Sequence, residues 1–171
     1  MPIIPAQIAD VPEIAALVNS AYRGETSKQG WTSESHLLDG IRIDEEELKS
    51  YFAQSHITML KCVSDTGEII GSAYLEKVKD DKLYLGMLTV KPTLQAQGVG
   101  KQLLTATEDY ARQHGCTTIK ISVITTRKEL IAWYERHGYK AAGQLLPFPT
   151  DTRFGIPKTT IELMVMEKPV G

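Results

Sequence analysis

The feature that most constrains this chain is a strand that leads through a glycine-containing turn into a long helix. The pattern predicts a strand over Leu83–Val90, which Pro92 ends because proline cannot continue a hydrogen-bonded ladder. Apolar residues then recur at helical spacing over Gly98–His114. The first N–H groups of a helix have no intrahelical acceptor and lie at the positive end of its dipole. This segment therefore predicts a site for a phosphate group.

Two common phosphate-binding patterns fail at this turn. The dinucleotide fingerprint requires a third glycine where this chain has Leu103. The P-loop requires a glycine and a hydroxyl residue where the chain has Gln95 and Gln102. What remains is Gln95 followed at fixed spacing by Gly98 and Gly100. On its own, that spacing leaves open either an anion site or a glycine-rich turn without a ligand.

Composition narrows the class of protein. A length of 171 residues, with 42% hydrophobic and 23% charged residues, predicts one globular domain over residues 1–171. A formal net charge of −2 argues against nucleic acid as a partner, because proteins that hold its phosphates usually carry a basic excess. The sequence shows no secretory signal pattern and no apolar run near the roughly 20 residues that span a bilayer. We therefore expect no membrane association and a cytoplasmic location.

Cysteine and histidine usage predicts neither disulfides nor a metal site. Cys62 and Cys116 lie in apolar stretches and form no CxxC pair, so we expect buried, reduced thiols. The four histidines show no spacing with cysteines or carboxylates that would hold a metal ion. No metal is therefore expected.

Elsewhere, strand and helix patterns alternate, which predicts a mixed α/β (α+β) fold. Asp10 and Glu13 have the spacing of a capping box for the first helix. We predict an irregular segment over Arg23–Gly40 and a long loop over Leu146–Lys158. The other predicted helices and strands are Ile3–Ile8, Asp44–Gln54, Ile57–Val63, Ile69–Lys79, Thr117–Ile124, Lys128–His137, Tyr139–Gly143 and Thr160–Glu167.

The turn resembles the cofactor motif of the GNAT superfamily of N-acetyltransferases, since Gln95, Gly98 and Gly100 match it in order and spacing. A second similarity is Ala132–Tyr139, where an aromatic–tyrosine pair on a short helix precedes a glycine and another aromatic residue. Ala21–Glu34 is similar to one subgroup of that superfamily. The resemblance implies a GNAT fold, with a central, mostly antiparallel mixed sheet of about six to seven strands flanked by helices.

The resemblance also implies acetyl-CoA as the donor, with the pantetheine arm lying along the strand before the turn. By the same resemblance, the backbone N–H of Leu88 is the expected oxyanion donor. Tyr134 matches the tyrosine that protonates the departing thiolate. Arg127 stands where many members have an asparagine that touches the cofactor. The residues expected to bind acetyl-CoA or CoA are Leu88, Thr89, Val90, Gln95, Ala96, Gln97, Gly98, Val99, Gly100, Lys101, Arg127 and Tyr134.

The resemblance leaves the general base open. Many members carry a glutamate on the strand before the turn, at a position where this chain has Tyr84. Glu76, on the neighbouring predicted strand, is one candidate base. A chain of water molecules to bulk solvent is the other.

The expected acceptor is a primary amine of a small molecule or a peptide, attacked directly in a ternary complex. The alternative is a sensor that binds acyl-CoA without turnover. O-acyl transfer, a longer acyl donor and a homodimer also stay open. The residues expected to bind the acceptor are Tyr22, Arg23, Trp31, Glu34, Arg42, Tyr84 and Phe148.

Overall fold

Seven strands form the central sheet of the computed structural model, which describes residues 2–22, 38–39, 41–95, 97–148, 156–157 and 161–171. The described residues contain nine strands, which are β1 (Ile3–Pro5), β2 (Leu38–Asp39), β3 (Ile57–Val63), β4 (Ile69–Val78), β5 (Lys82–Val90), β6 (Thr118–Ile124), β7 (Lys140–Pro147), β8 (Ile156–Pro157) and β9 (Glu162–Pro169). Two of them, β2 and β8, lie outside the central sheet. The central order is β1-β3-β4-β5-β6-β9-β7, while β2 pairs with β8. Within the central sheet β5 and β6 pair parallel and the other neighbours antiparallel, which confirms the predicted fold class.

Helices cover both faces of the sheet and create two separate cores. The α-helices of the described residues are α1 (Val11–Tyr22), α2 (Glu45–Phe52), α3 (Val99–Gln113) and α4 (Lys128–Arg136). The buried residues of α1 and α2 form one cluster with Met59 and Met87. Those of α3 and α4 form the other with Leu75 and Leu85. None of the helices in the described ranges is long and apolar enough to cross a membrane.

The start of α1 differs from the sequence prediction. The Asp10 carboxylate accepts the backbone N–H of Gln7 at 2.8 Å and closes a short 3-10 turn over Ile8–Asp10. The Glu13 carboxylate instead reaches the sheet and accepts the backbone N–H of Ile69 at 2.8 Å. The predicted pairing of Asp10 with Glu13 is therefore wrong, because a tertiary hydrogen bond replaces the local one.

Strand β7 is longer than predicted, whereas β9 has the predicted length and lies two residues further along the chain. Strand β7 does not stop at Gly143 but continues to Pro147. Its register against β9 shifts between Ala141 and Leu145, around Gly143, which has a φ of 80°. A local irregularity at a glycine thus lets the strand continue where the sequence suggested an end.

A gap opens in the middle of the sheet between β5 and β6. The two strands pair only from Lys82 to Tyr84 on β5, opposite Thr118 to Lys120 on β6. Beyond that point both strands continue, but they no longer pair with each other. A bulge at Met87, which has a φ of 45°, adds to the bend of β5. The gap is V-shaped, with its apex at Tyr84.

Candidate active site

Strand β5 turns part of its backbone toward this gap. The N–H of Lys91 donates to the carbonyl of Ile70 on the β4 side at 2.8 Å. Because alternate residues of an antiparallel ladder bond to the same neighbour, Thr89 also faces β4 whereas Leu88 and Val90 face away from it. Strand β6 does not pair with this edge. The backbone groups of Leu88 and Val90 therefore lie where no strand of the sheet meets them.

Two side chains donate hydrogen bonds to the carbonyl groups on this open edge. The Tyr22 hydroxyl donates to the Leu88 carbonyl at 2.6 Å, and the Gln95 side-chain amide donates to the Val90 carbonyl at 3.2 Å. Acceptors on the edge are thus already engaged by the protein itself. The edge offers the N–H donors of Leu88 and Val90 to a bound molecule, and each carbonyl oxygen keeps a second lone pair.

The N-terminus of α3 lies at the wide end of the gap. Gly98 has a φ of 87°, a left-handed conformation that glycine adopts without strain, and a Cβ there would meet no atom within 4 Å. A Cβ at Gly100 would lie 3.2 Å from the indole ring of Trp133. The first glycine therefore allows the turn into the helix, and the second allows α3 to lie close against α4.

One cavity of about 510 Å³ joins these groups. Tyr134 belongs to the core on the α3 and α4 face, while Tyr22 packs against the core on the α1 and α2 face. Since both line the cavity, it extends through the gap from one face of the sheet to the other. The lining residues are Tyr22, Leu88, Val90, Gln95, Gly98, Gly100, Lys101, Glu129, Leu130, Trp133, Tyr134, Arg136 and His137.

The hydroxyl of Tyr134 keeps its proton in this environment. Burial raises the pKa of Tyr134 well above its usual value, Tyr22, Tyr139 and Tyr84 raise it further, and Arg127 partly opposes the shift. The ring packs edge-on against Tyr139, with ring centroids 5.4 Å apart. Tyr134 is therefore a fixed, neutral phenol at the buried end of the cavity.

Most of the predicted cofactor residues come together here. Those lining the cavity are Leu88, Val90, Gln95, Gly98, Gly100, Lys101 and Tyr134. The side chains of Thr89 and Val99 instead belong to the interior, where the Thr89 hydroxyl donates to the Met87 carbonyl at 2.8 Å. Arg127 is buried just before α4 and outside the lining, and Gln97 is exposed beside Gly98. Ala96 lies outside the described residues.

Among the described residues predicted to bind the acceptor, Tyr22 alone lines the cavity. The Arg42 guanidinium lies over the ring of Tyr22, 5.7 Å from its centroid. The Tyr84 hydroxyl lies 3.2 Å from the hydroxyl of Ser122 on β6, so this pair bridges the gap near its apex. Phe148 packs elsewhere, in a small cluster near the end of β6. Arg23, Trp31 and Glu34 lie outside the described residues.

Glu76, the candidate base, lies opposite Tyr84 in the register of β4 and β5 but does not line the cavity. Its carboxylate accepts the Tyr74 hydroxyl at 2.6 Å. Its other oxygen lies 3.7 Å from Nε2 of His56. The side chain is half-buried and belongs to a polar cluster with Tyr74 and His56.

Sequence reasoning missed the wall that α4 contributes. The missed residues fall on one helical face together with Tyr134 and are Glu129, Leu130, Trp133, Arg136 and His137. Their spacing was the available signal, since residues three and four apart share a helix face. The carbonyl of Trp133 lies 2.7 Å from Nδ1 of His137, and their rings lie 4.5 Å apart.

The chemistry of the cavity fits an elongated molecule with anionic groups at one end, as CoA is. The exposed end carries the helix N-terminus and the cations Lys101 and Arg136, which suits phosphates. The buried end holds Leu88 and Tyr134. Within the described ranges, no group of three or more His, Cys, Asp or Glu side chains is placed to hold a metal ion.

Sequence comparison identifies relatives of this chain. The model of the family described as "Acetyltransferase (GNAT) family" matches residues 15–139. The uncharacterized N-acetyltransferase YhfO of Bacillus subtilis is 28% identical over 143 residues, which are 79% of this chain and 87% of that protein. N-acetyltransferase family 8 member 3 of Mus musculus is 22% identical over 119 residues. That match covers 67% of this chain and 53% of the mouse protein.

Solved structures share the fold. A ribosomal-protein-alanine N-acetyltransferase from Brucella melitensis has a TM-score of 0.72 over 99% of both chains, at 20% identity. A phosphinothricin acetyltransferase from Sinorhizobium meliloti, solved in complex with acetyl-CoA, has a TM-score of 0.73 at 16% identity. That match covers 99% of this chain and 88% of the other.

Proposed function

Because this chain belongs to the acetyltransferase (GNAT) family and is an acyltransferase enzyme, we propose that it transfers an acetyl group from acetyl-CoA to a primary amine. The acceptor would be a small molecule or a peptide. The observation that supports this proposal is the convergence of three features on one cavity. These are the α3 N-terminus, the open edge of β5 and the buried hydroxyl of Tyr134.

In this proposal the protein holds the donor through backbone groups. The N–H groups of Gly98–Lys101 would bind the pyrophosphate, because a helix N-terminus offers both free donors and a favourable dipole. The backbone N–H of Val90 would pair with the pantetheine arm as a neighbouring strand does, which leaves the N–H of Leu88 for the thioester carbonyl. Acetyl-CoA would supply the acetyl group as a thioester already activated for transfer.

Two groups would lower the barrier to transfer. The Leu88 N–H would donate to the carbonyl oxygen as negative charge develops on it, and one such donor is worth ~10²–10³ in rate. The Tyr134 hydroxyl would give its proton to the departing sulfur, since its raised pKa keeps the phenol protonated. Overall, a C–N bond forms and a C–S bond breaks. The sulfur takes the Tyr134 proton, the amine gives its proton to a base, and Tyr134 is reprotonated from solvent.

Two routes remain candidates for removing the amine proton. Glu76 lies opposite Tyr84 in the sheet, but its carboxylate accepts the Tyr74 hydroxyl and stands outside the cavity lining. It would therefore act through an intervening water or on an amine that reaches beyond the gap. The second route is a water chain to bulk solvent without Glu76.

A screen of acceptors tests the proposed function. Acetyl-CoA is incubated with the enzyme and a panel of amines, amino acids, polyamines and peptides, and release of free thiol is followed. Mass spectrometry then checks for an added acetyl group on any responding amine, while calorimetry measures CoA binding separately. Binding of CoA with no thiol release from any amine would favour the sensor. No binding of CoA would contradict the proposal altogether.

A further inference from the structure

The ring of Tyr22 closes the cavity from the α1 face and is held on two sides. Its hydroxyl donates to the Leu88 carbonyl at 2.6 Å, and the Arg42 guanidinium lies 5.7 Å from the ring centroid. The backbone of Arg42 is held by α1, because the backbone N–H of Arg42 donates to Asn19 Oδ1 at 2.7 Å. The Asn19 amide also donates to the carbonyl of Ile43 at 2.8 Å. The ring is thus a fixed wall.

If the proposed function holds, the Tyr22 ring lies near the acyl group of bound acetyl-CoA, at the end of the cavity opposite the phosphates. Phosphates bound at Gly98 lie at the wide end of the gap. The arm would then follow β5 past Val90 to Leu88. An acyl group attached to the sulfur continues in the same direction, toward the narrow end at Tyr84.

The narrow end has little room. Strands β5 and β6 are paired again at Tyr84 and Lys120, and the hydroxyls of Tyr84 and Ser122 bridge the strands at 3.2 Å. Tyr22 covers the gap from the α1 face, and both Tyr22 and Tyr84 lie close enough to Tyr134 to raise its pKa. At the acyl end the cavity is therefore bordered by Tyr22 on the α1 face and by Tyr134 on the opposite face.

We propose that Tyr22 sets the length of the acyl group that the enzyme accepts, admitting acetyl and rejecting butyryl and longer chains. A longer chain would have to displace the Tyr22 ring, which would break its hydrogen bond to Leu88 and its contact with Arg42. Forcing extra methylene groups into a packed site is unfavourable. One methylene in an apolar pocket changes discrimination by about tenfold or more.

Binding calorimetry with CoA, acetyl-CoA and butyryl-CoA tests this without an acceptor amine. The unmodified enzyme should bind acetyl-CoA at least about tenfold more tightly than butyryl-CoA. Tyr22→Ala and Tyr22→Leu should bring the two affinities within about threefold, through tighter binding of butyryl-CoA. Tyr22→Leu keeps an apolar side chain and so carries the test if Tyr22→Ala does not fold.

Two further variants separate ring size from other causes. Tyr51→Ala removes a ring of equal size from the same face, where it packs on Tyr74 with centroids 4.9 Å apart and does not line the cavity. It should keep the discrimination of the unmodified enzyme. Tyr22→Phe keeps the ring but loses the hydrogen bond to Leu88, and it should keep most of the discrimination.

The outcomes are distinguishable. If CoA itself does not bind, the proposed function fails. If CoA and acetyl-CoA bind but the unmodified enzyme takes butyryl-CoA equally well, Tyr22 does not limit the chain. The same conclusion follows if the Tyr22→Leu and Tyr22→Ala proteins keep the original preference, or if Tyr22→Phe loses it as fully as Tyr22→Ala.

Discussion

Trp133 lies so close to Gly100 that a Cβ at residue 100 would come within 3.2 Å of its indole ring. This contact makes the first turn of α3 and the side of α4 adjoining walls of one cavity. Gly100→Val would fill the contact with a branched side chain and push the indole out of the wall. We expect CoA affinity, measured by calorimetry, to fall at least about tenfold, in the range of overpacking effects.

Gln102→Val is the matched control for this change. Gln102 is exposed on the same helix, so the variant places the same β-branched side chain at the start of α3 without meeting Trp133. Equal losses of affinity in the two variants would show that the contact with Trp133 is not the cause.

Gly98→Asp tests the anion site at the N-terminus of α3. The variant would place a carboxylate beside the bound pyrophosphate, and we expect a loss of at least about 2 kcal/mol in CoA binding. Gly98→Asn is the control, because it suffers the same strain at a φ of 87° without the charge. Calorimetry should show the Asn variant binding CoA at least about tenfold more tightly than the Asp variant. Identical affinities would place the phosphates elsewhere.

Tyr134→Phe removes the proposed proton donor and keeps the ring. We expect kcat with a responsive amine to fall at least about tenfold while the KM for acetyl-CoA barely changes, because the lost interaction belongs to the transition state. Single-turnover rates should be measured so that slow product release does not hide the effect. Tyr139→Phe, on the neighbouring ring, should leave the rate unchanged. Unaltered single-turnover rates in Tyr134→Phe would remove this hydroxyl from the mechanism.

The raised pKa of Tyr134 also predicts the shape of the pH profile. A phenol with a pKa above the usual value of about 10 remains protonated, and thus able to donate, throughout the range below it. Meanwhile the amine loses its proton as pH rises, so kcat/KM should increase toward pH 10 with no alkaline decline from Tyr134. A decline well below pH 10 that disappears in Tyr134→Phe would contradict this assignment.

Glu76→Gln decides between the two routes for the amine proton. Glutamine keeps the shape and can still accept the Tyr74 hydroxyl, which in Glu76 is 2.6 Å away. If Glu76 is the base, kcat/KM should drop by ~10²-fold or more and Glu76→Asp should restore part of it. If water molecules carry the proton, the Gln variant should react like the unmodified enzyme.

Tyr139→Phe should stabilise the protein or leave its free energy of unfolding unchanged. The Tyr139 hydroxyl is buried and has no hydrogen-bond partner in the described part of the chain. An unsatisfied buried polar group costs about 1–3 kcal/mol, so its removal relieves that cost. Tyr110→Phe is the comparison, since the Tyr110 hydroxyl pairs with Thr58 at 2.8 Å and its loss should destabilise by about 1 kcal/mol. Urea unfolding of both variants measures the difference, and equal destabilisation would refute the reasoning.

Local chemistry explains what the sequence predicted well. Gln95, Gly98 and Gly100 lie within one short stretch, and the donors of a helix N-terminus follow from its first residues alone. Long-range contacts explain what it did not. Glu13 binds the N–H of Ile69, which is 56 positions away, so no local pattern could reveal that it leaves its expected partner.

The same limit applies within the site. Tyr22 could be grouped with acceptor residues from its segment, but its bond to the Leu88 carbonyl spans 66 positions. Trp133 was recognised as part of a motif, yet its place in the cavity wall depends on how closely α4 approaches Gly100. Spacing along the chain places Trp133 on one helix face with Tyr134, but whether that face borders the cavity is set by helix crossings and strand separation.

Because β5 and β6 pair over only a few residues, the sheet consists of two plates joined along one short seam. One plate has four strands (β1, β3, β4 and β5) and the other has three (β6, β9 and β7). Across that seam they share three residue pairs, so little backbone hydrogen bonding resists a change in the angle between them. A molecule lying along β5 and touching α4 would brace one plate against the other. We therefore expect amide exchange near the seam to slow when such a molecule binds, which would report occupancy even when no reaction occurs.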